Sequence, residues 1–213
     1  SSDLTFVSLA SDALSGGETH QESENQLRLF MESYVLDYLI YSLQMITQLQ
    51  NQREILIGAS LLYRCVKVAS GVDGVCEVFS EFSMHFLNQV TDILLNKNFM
   101  KNVKDLVAGA LAVIGVQTYE SSGSTVIQEF IMKISEVQEL ETYVLIMVSD
   151  MLLGGQSTYG FPTDFLFKLV TKDLVYEESI VPRAYLLFSI SDITKDEEFF
   201  VNMLNCLIES IPS

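Results

Sequence analysis

Apolar residues recur mainly at intervals of three and four along this chain, the spacing that places side chains on one face of an α-helix. The stretch from Glu197 to Ile211 shows the pattern most clearly, and its apolar face comprises Phe199, Phe200, Met203, Leu204, Leu207, Ile208 and Ile211. Extended alternation of apolar and polar residues, which is typical of half-buried strands, is hard to find. The pattern therefore predicts an all-α protein.

Helix ends are predicted where glycine, proline, or a Ser or Thr followed three residues later by Glu or Gln interrupts the apolar pattern. Five such pairs predict helix N-termini: Thr19/Glu22, Ser23/Gln26, Thr125/Gln128, Ser135/Gln138 and Thr194/Glu197. The predicted helices cover residues 4–14, 22–49, 52–70, 74–96, 98–118, 125–134, 136–153, 163–174, 179–190 and 196–211. The second is long enough to be two helices or one bent helix, and the fourth could break near Ser80 to Ser83.

The spacing of these predicted helices has a period. Helix starts near residues 83, 125, 163 and 196 are roughly 33 to 42 residues apart, with one helix between each pair. The predicted helices 98–118 and 136–153 are apolar almost all round, which is typical of helices packed between neighbours. We therefore interpret these two helices as the inner layer of a stack of helix pairs.

By this period and burial pattern, the segment 74–211 resembles armadillo and HEAT repeats. The resemblance implies a right-handed α-solenoid of stacked antiparallel helix pairs. Residues 1–213 would then be a single helical-repeat domain, with an N-terminal arm or partly ordered helix at 1–21, a helical pair at 22–70 and repeat helices at 74–211. An irregular multi-helix bundle is the alternative, because periodicity alone does not distinguish the two.

Composition narrows the classes of function. Hydrophobic residues make up 49% of the chain, so we expect most of it to be folded rather than disordered. The longest apolar runs are shorter than a bilayer-spanning helix requires, so we expect no membrane insertion. The net charge of −16 argues against binding to nucleic-acid phosphate backbones, to anionic membrane surfaces or to acidic partner proteins. Residues 1–50 hold seven acidic residues against Arg28 alone. A basic or apolar peptide partner is therefore plausible, although acidity could also simply keep an apolar protein soluble.

One short stretch invites a nucleotide-binding interpretation. In LLGGQSTYGFP, Gly155 and Gly160 have the glycine spacing of a phosphate-binding P-loop. However, Phe161 and Pro162 follow where a lysine and a hydroxyl residue would be needed. We therefore interpret the glycines as a helix C-cap and Pro162 as the first turn of the next helix.

Metal, cofactor and catalytic signatures are weak. The two histidines, His20 and His85, do not form a metal-binding motif, and we expect His85 to be a partly buried structural residue. The odd number of cysteines, Cys65, Cys76 and Cys206, favours reduced thiols. We predict no metal, no cofactor and no enzymatic activity, and an intracellular location in the cytoplasm or nucleus.

Two alternative functions remain open at the level of sequence. A helical enzyme could bring together catalytic groups that are distant in the chain. A nucleic-acid-binding solenoid could use the basic cluster Lys97, Lys101 and Lys104, although three lysines without interleaved aromatic residues are a thin signal. A solvated helix face is the simpler interpretation of that cluster.

The strongest candidates for partner binding are apolar residues of 27–46 and of the loop around residue 160. We predict that a partner contacts Leu27, Phe30, Tyr34, Tyr38, Tyr41, Tyr159 and Phe161. These side chains could instead be ordinary core residues. The predicted function is a non-enzymatic scaffold domain of a larger protein, which binds a partner's amphipathic helix or peptide on an apolar and acidic surface.

Overall fold

A computed structural model describes residues 2–15, 20–153, 157–172, 176–194 and 197–209. These residues form eleven α-helices and no β-strand, which confirms the all-α prediction. The helices are α1 (Ser2–Ser15), α2 (His20–Ser33), α3 (Val35–Gln48), α4 (Gln52–Ala69), α5 (Val75–Leu95), α6 (Lys101–Ser122), α7 (Val126–Ile134), α8 (Glu141–Leu152), α9 (Thr163–Thr171), α10 (Ile180–Thr194) and α11 (Glu197–Glu209). Short 3-10 turns, Gln138–Leu140 and Glu177–Ser179, lead into α8 and α10. Within the described ranges, no helix is both long enough and apolar enough to cross a bilayer.

The chain divides into two compact units, residues 1–110 and 111–213, and the division falls within α6. In the first unit, α1 packs on α2, and α3 packs along α4 and against α5. The core of this unit contains fully buried aliphatic and aromatic side chains, among them Leu39, Ile46, Leu62, Phe79, Phe82 and Phe86. The three-residue connection between α3 and α4 includes Asn51, whose side chain accepts a hydrogen bond from the Arg53 amide and caps α4.

The predicted helix 22–49 is two helices, one of the two alternatives allowed by the sequence. Tyr34 alone separates α2 from α3, with φ −142° and ψ 59°. Its amide donates to the carbonyl of Phe30, and its own carbonyl accepts from the amide of Tyr38. These two bonds keep the spacing of an α-helix across the break.

In the second unit, α8 packs against α7 and α10, and α10 also contacts α9 and α11. Nine of the twelve residues of α8 are buried, as expected for a helix that is apolar almost all round. Two hydrogen bonds pair polar groups in the interior of this unit: the hydroxyls of Thr142 and Ser179 lie 2.9 Å apart, and the Arg183 guanidinium donates to the carbonyl of Lys172. Polar burial without such partners would be costly.

Several predicted helix ends are wrong. Ser135 does not cap α8: it follows α7, where its hydroxyl donates to the carbonyl of Met132, and α8 begins only after the 3-10 turn. Thr125 stands just before α7, as predicted, but its hydroxyl donates to the Glu129 carboxylate instead of capping a backbone amide. Ser23 lies inside α2 rather than at a helix start. Helix α5 runs unbroken through Ser80 to Ser83.

Some of the residues predicted to cap helices lie outside the part of the chain that the structure describes. Thr19, Gly154 and Gly155, and the side chain of Glu197, lie outside the described residues, so the predicted caps there are not assessed. Pro162 occupies the position just before α9 with extended backbone, rather than its first turn.

Candidate functional site

A concave, mostly aromatic surface lies on the first unit, where α1 faces the end of α2 and the start of α3. It encloses a cavity of about 410 Å³ lined by Thr5, Phe6, Leu9, Phe30, Tyr34, Asp37 and Tyr41. We refer to these seven residues as the aromatic groove. A smaller cavity of about 190 Å³ shares Phe6 and Tyr41 and extends along α3 to Leu49.

The spacing of the lining residues explains why the chain forms this surface. Phe30, Tyr34, Asp37 and Tyr41 follow one another at intervals of four, three and four, which is a single helical stripe. The hydrogen bonds across the break at Tyr34 preserve that stripe. Helix α1 supplies the facing side, because it packs on α2 and α3.

The floor of the aromatic groove is a cluster of rings in mutual contact. The ring centre of Phe6 lies 5.5 Å from that of Tyr41 and 5.9 Å from that of Phe30. The ring centre of Phe30 lies 5.6 Å from that of Tyr34 and 6.1 Å from that of Tyr41. All four distances fall within the favourable range for aromatic pairs. The buried ring of Tyr38 meets Phe6 edge-on at 5.2 Å, so the floor is held from below.

The rim of the aromatic groove is exposed and acidic. The side chain of Tyr34 is 58% exposed, while Phe6 is buried and Phe30 and Tyr41 are half-buried. Asp37 is exposed in the first turn of α3, where the helix dipole favours a negative charge. The nearest basic residue in sequence, Arg28, pairs with Glu32 at 3.4 Å and is thus already partly neutralised. The rim therefore presents an exposed phenol beside a carboxylate.

A second concave surface of the first unit is aliphatic. It encloses about 320 Å³ and is lined mainly by Met31, Val35, Val68, Val72, Val75 and Val78, with the acidic Glu32 and Asp73. Val68 and Val72 are both more than half exposed. We refer to this surface as the aliphatic groove.

The structure brings together only part of the predicted partner-binding set. Phe30, Tyr34 and Tyr41 line the aromatic groove, whereas Leu27 and Tyr38 are buried. The prediction missed Thr5, Phe6, Leu9 and Asp37. Phe6 belongs with Ala10 and Ala13 on the buried side of α1, and that spacing was the available signal.

The remaining two predicted residues belong to the second unit. Phe161 is buried and stacks on Phe165 at 5.6 Å, so it offers no free surface. Tyr159 has a left-handed backbone with φ 47°, and its phenol donates to the Glu120 carboxylate at 3.3 Å. Partial burial, and secondarily the negative charge of Glu120, raise the pKa of Tyr159. Tyr159 therefore anchors its loop to the end of α6.

The two histidines and the thiols of Cys65 and Cys76 are not among the side chains that line the aromatic groove. Burial raises the pKa of the Cys65 thiol to about 12, which leaves it protonated and unreactive at neutral pH. His20 lies 3.7 Å from Glu24, and His85 is exposed rather than partly buried as predicted. Over the residues that the structure describes, no three His, Cys, Asp or Glu side chains come together as a metal site would require.

One lysine of the predicted basic cluster forms an ion pair within the first unit, and another is partly buried. Lys101 lies 3.7 Å from the Asp105 carboxylate, and partial burial lowers the pKa of Lys104. Of the concave surfaces described above, the aromatic groove encloses the largest volume, and its chemistry suits binding by ring contact and charge. No protein-family model, no characterised protein and no solved structure matches this chain significantly.

Proposed function

We propose that this chain is a non-enzymatic interaction module of a larger intracellular scaffold, and that its aromatic groove binds a basic helix or peptide of a partner protein. The proposal includes an armadillo- or HEAT-like stacking of helix pairs over residues 74–211, which the packing of α7 on α8 and of α10 on α11 supports. The proposed binding of a basic peptide rests on one observation: a single cavity contains the exposed ring of Tyr34, the cluster of aromatic rings at its floor and the carboxylate of Asp37.

The size and rigidity of the cavity suit the side chains of a peptide. Ligand pockets typically enclose about 300–1,000 Å³, so 410 Å³ accommodates one or two side chains rather than a whole helix. The ring contacts of Phe6, Phe30 and Tyr41 hold the floor in place before binding, which reduces the ordering cost of association. Exposed aromatic residues next to such pockets are frequent anchors of protein interfaces.

Charge favours a basic partner. The chain carries a net charge of −16, and Asp37 stands at the rim. Within the described part of the chain, Asp37 makes no ion pair, so a lysine or arginine of the partner could approach it without displacing another group. Attraction of this kind accelerates association and weakens as ionic strength rises.

The chemistry of the aromatic groove gives catalysis little support. Its ionisable groups are the Asp37 carboxylate and the phenols of Tyr34 and Tyr41. No histidine, cysteine or lysine is among its lining residues, so the groove lacks the side chains that most often serve as activated nucleophile and general base. Binding is the function that these side chains serve best.

The experiment uses the full chain labelled with 3-fluorotyrosine and followed by 19F NMR. An 18-residue amphipathic peptide of leucine and lysine is titrated against it, in parallel with a leucine and glutamate counterpart. We expect the Tyr34 resonance to shift with the basic peptide only, and Tyr34→Ala to weaken binding by at least about tenfold.

Met84→Ala is the matched control, because Met84 is 66% exposed on α5 and lines none of the cavities described above. Asp37→Asn should weaken the same interaction and reduce its dependence on salt. Equal binding of both peptides, or equal loss in the Tyr34 and Met84 variants, would refute the proposed role of the groove.

A further inference from the structure

The second unit has an apolar stripe on the outer side of α10. Val181, Tyr185 and Phe188 are 60%, 56% and 54% exposed, respectively. They stand at positions i, i+4 and i+7, which is the spacing of one helical face. We refer to these three residues as the α10 stripe. Sequence periodicity did not single it out, because α10 is apolar on two sides.

The α10 stripe is distinct from the face that α10 buries. Arg183, Leu186, Leu187 and Ile190 are buried, and α10 packs against α8. At about 100° per residue, these positions fall on the side of the helix opposite the stripe. Phe188 also contacts Phe200 of α11, with ring centres 5.5 Å apart, which extends the apolar surface to one side.

Acidic residues stand at both ends of the α10 stripe. Glu177 and Glu178 are exposed in the 3-10 turn that leads into α10, and Asp192 is exposed one turn beyond Phe188. Arg183, the basic residue of α10, points inward and donates to the carbonyl of Lys172. The exposed surface of α10 is therefore apolar in the middle and negative at each end.

This charge pattern argues against a second copy of the chain as the occupant. If two stripes packed antiparallel, Glu177 and Glu178 of one copy would face Asp192 of the other. If they packed parallel, each acidic end would face its own counterpart. Like charges meet in both arrangements, which is unfavourable. A partner with the same apolar spacing and the opposite charge avoids that repulsion.

We infer that the α10 stripe docks a helix of a partner protein, with apolar side chains at i, i+4 and i+7 and lysine or arginine at both ends. The apolar side chains of that helix cover Val181, Tyr185 and Phe188. Its basic ends face Glu177 and Glu178 on one side and Asp192 on the other. This surface belongs to the second unit, so the inference does not rest on the function proposed for the aromatic groove.

The test uses the full chain labelled with 3-fluorotyrosine and a helical peptide with leucine at i, i+4 and i+7 between lysine-rich ends. A peptide with glutamate-rich ends is the matched probe. The Tyr185 resonance should shift with the lysine-flanked peptide alone. It is read separately from the Tyr34 resonance, so failure here and failure at the aromatic groove are distinguishable.

Variants then divide the apolar and charged contributions. Tyr185→Ser with Phe188→Ser should weaken binding at least about tenfold, whereas Val126→Ser, at a site 56% exposed on α7, should leave it unchanged. Glu177→Gln, Glu178→Gln and Asp192→Asn together should reduce the salt dependence of binding. Circular dichroism checks folding, and the wild-type titration stands even if a variant unfolds.

Three results would overturn the inference. One is an equal shift of Tyr185 with the lysine-flanked and glutamate-flanked peptides. Another is an unshifted Tyr185 resonance at millimolar lysine-flanked peptide. The third is a concentration-dependent dimer in sedimentation that disappears in the Tyr185→Ser and Phe188→Ser double variant, which would identify a second copy as the occupant.

Discussion

Gly58 of α4 lies so close to Met45 of α3 that a Cβ added to the glycine would stand 2.6 Å from the Met45 Cβ. The same Cβ would stand 2.9 Å from the carbonyl oxygen of Ser42. Both contacts are too short to be tolerated, and both involve atoms at or near the backbone. The close packing of α3 and α4 therefore depends on the absence of a side chain at this position.

Gly58→Ala should lower the free energy of unfolding by about 2 kcal/mol or more, because α3 and α4 must separate to admit the methyl group. Gly109→Ala is the control: its Cβ would meet the Tyr63 ring at 3.0 Å, and a side chain can yield. Urea unfolding followed by circular dichroism measures both variants. Equal stability losses would contradict the packing argument.

The buried hydroxyls of Thr142 and Ser179 should be energetically coupled, since they lie 2.9 Å apart in the interior of the second unit. Thr142→Val or Ser179→Ala alone should cost about 1–3 kcal/mol, because each leaves its partner's hydroxyl deprived of that hydrogen bond. The double variant should cost less than the sum of the two. A double-mutant cycle in urea unfolding measures the coupling, and strictly additive losses would show that the bond contributes nothing.

The first unit should lose stability under alkaline conditions. Burial raises the pKa of Cys65 from its ordinary value of 9.0 to about 12, and burial also raises the pKa of Tyr38. When folding raises the pKa of an acid, the protonated acid stabilises the folded state. This stabilisation is complete below the unfolded-state pKa and is lost as the pH rises towards the folded-state pKa. For Cys65 this window runs from 9.0 to about 12.

Above its own ordinary pKa, which is 9.0 for Cys65 and 10.0 for Tyr38, each group should reduce the free energy of unfolding by up to about 1.4 kcal/mol per pH unit. Tyr38→Phe keeps the ring and removes the titrating phenol, so the variant should lose stability less steeply above pH 10. Urea unfolding at several alkaline pH values gives the slopes. Identical slopes in the variant and the wild type would exclude a contribution from Tyr38.

The exposed carboxylate of Glu136 should titrate below its ordinary pKa of 4.5, because Lys168 donates a hydrogen bond to it at 2.9 Å and adds a positive charge. Lys168→Met should raise the pKa of Glu136 towards 4.5, as measured by 13C NMR. A depressed folded-state pKa contributes stability above the unfolded-state pKa, and this is lost as pH falls through the folded-state value. Because both side chains are exposed, the stability change should be small.

Lys133→Met is the control for that titration, since Lys133 is exposed on α7 and is not among the causes of the Glu136 shift. It should leave the pKa of Glu136 where it is in the wild type. A Glu136 pKa that is unaffected by Lys168→Met would show that the ion pair does not form in solution.

Apolar periodicity was sufficient to predict the helices, because each one buries a face whose residues are close in sequence. Local capping chemistry was less reliable. Ser135 matched an N-cap pattern, but its hydroxyl bonds backward to Met132, and a 3-10 turn intervenes before α8. Ser and Thr hydroxyls can form hydrogen bonds with several nearby backbone groups, and the sequence alone does not specify which of these bonds forms.

The aromatic groove was predictable only on one side. Phe30, Tyr34 and Tyr41 follow a helical spacing within one segment. The spacing of Phe6, Ala10 and Ala13 indicates a buried side of α1, but it does not specify that this side packs on Phe30 and Tyr41. The α10 stripe was missed for a related reason. A helix that is apolar on two sides does not indicate which side its neighbours cover, and only the packing of α10 on α8 resolves this.

The single-residue break at Tyr34 has a mechanical consequence. Tyr34 is the most exposed ring of the aromatic groove and also the joint whose φ and ψ angles set the direction of α3 relative to α2. If the groove binds a peptide as proposed, a ligand that contacts the Tyr34 ring also restricts the backbone dihedral angles of Tyr34. Binding would then stiffen the hinge between two helices, and slower amide exchange on both sides of residue 34 would be its signature.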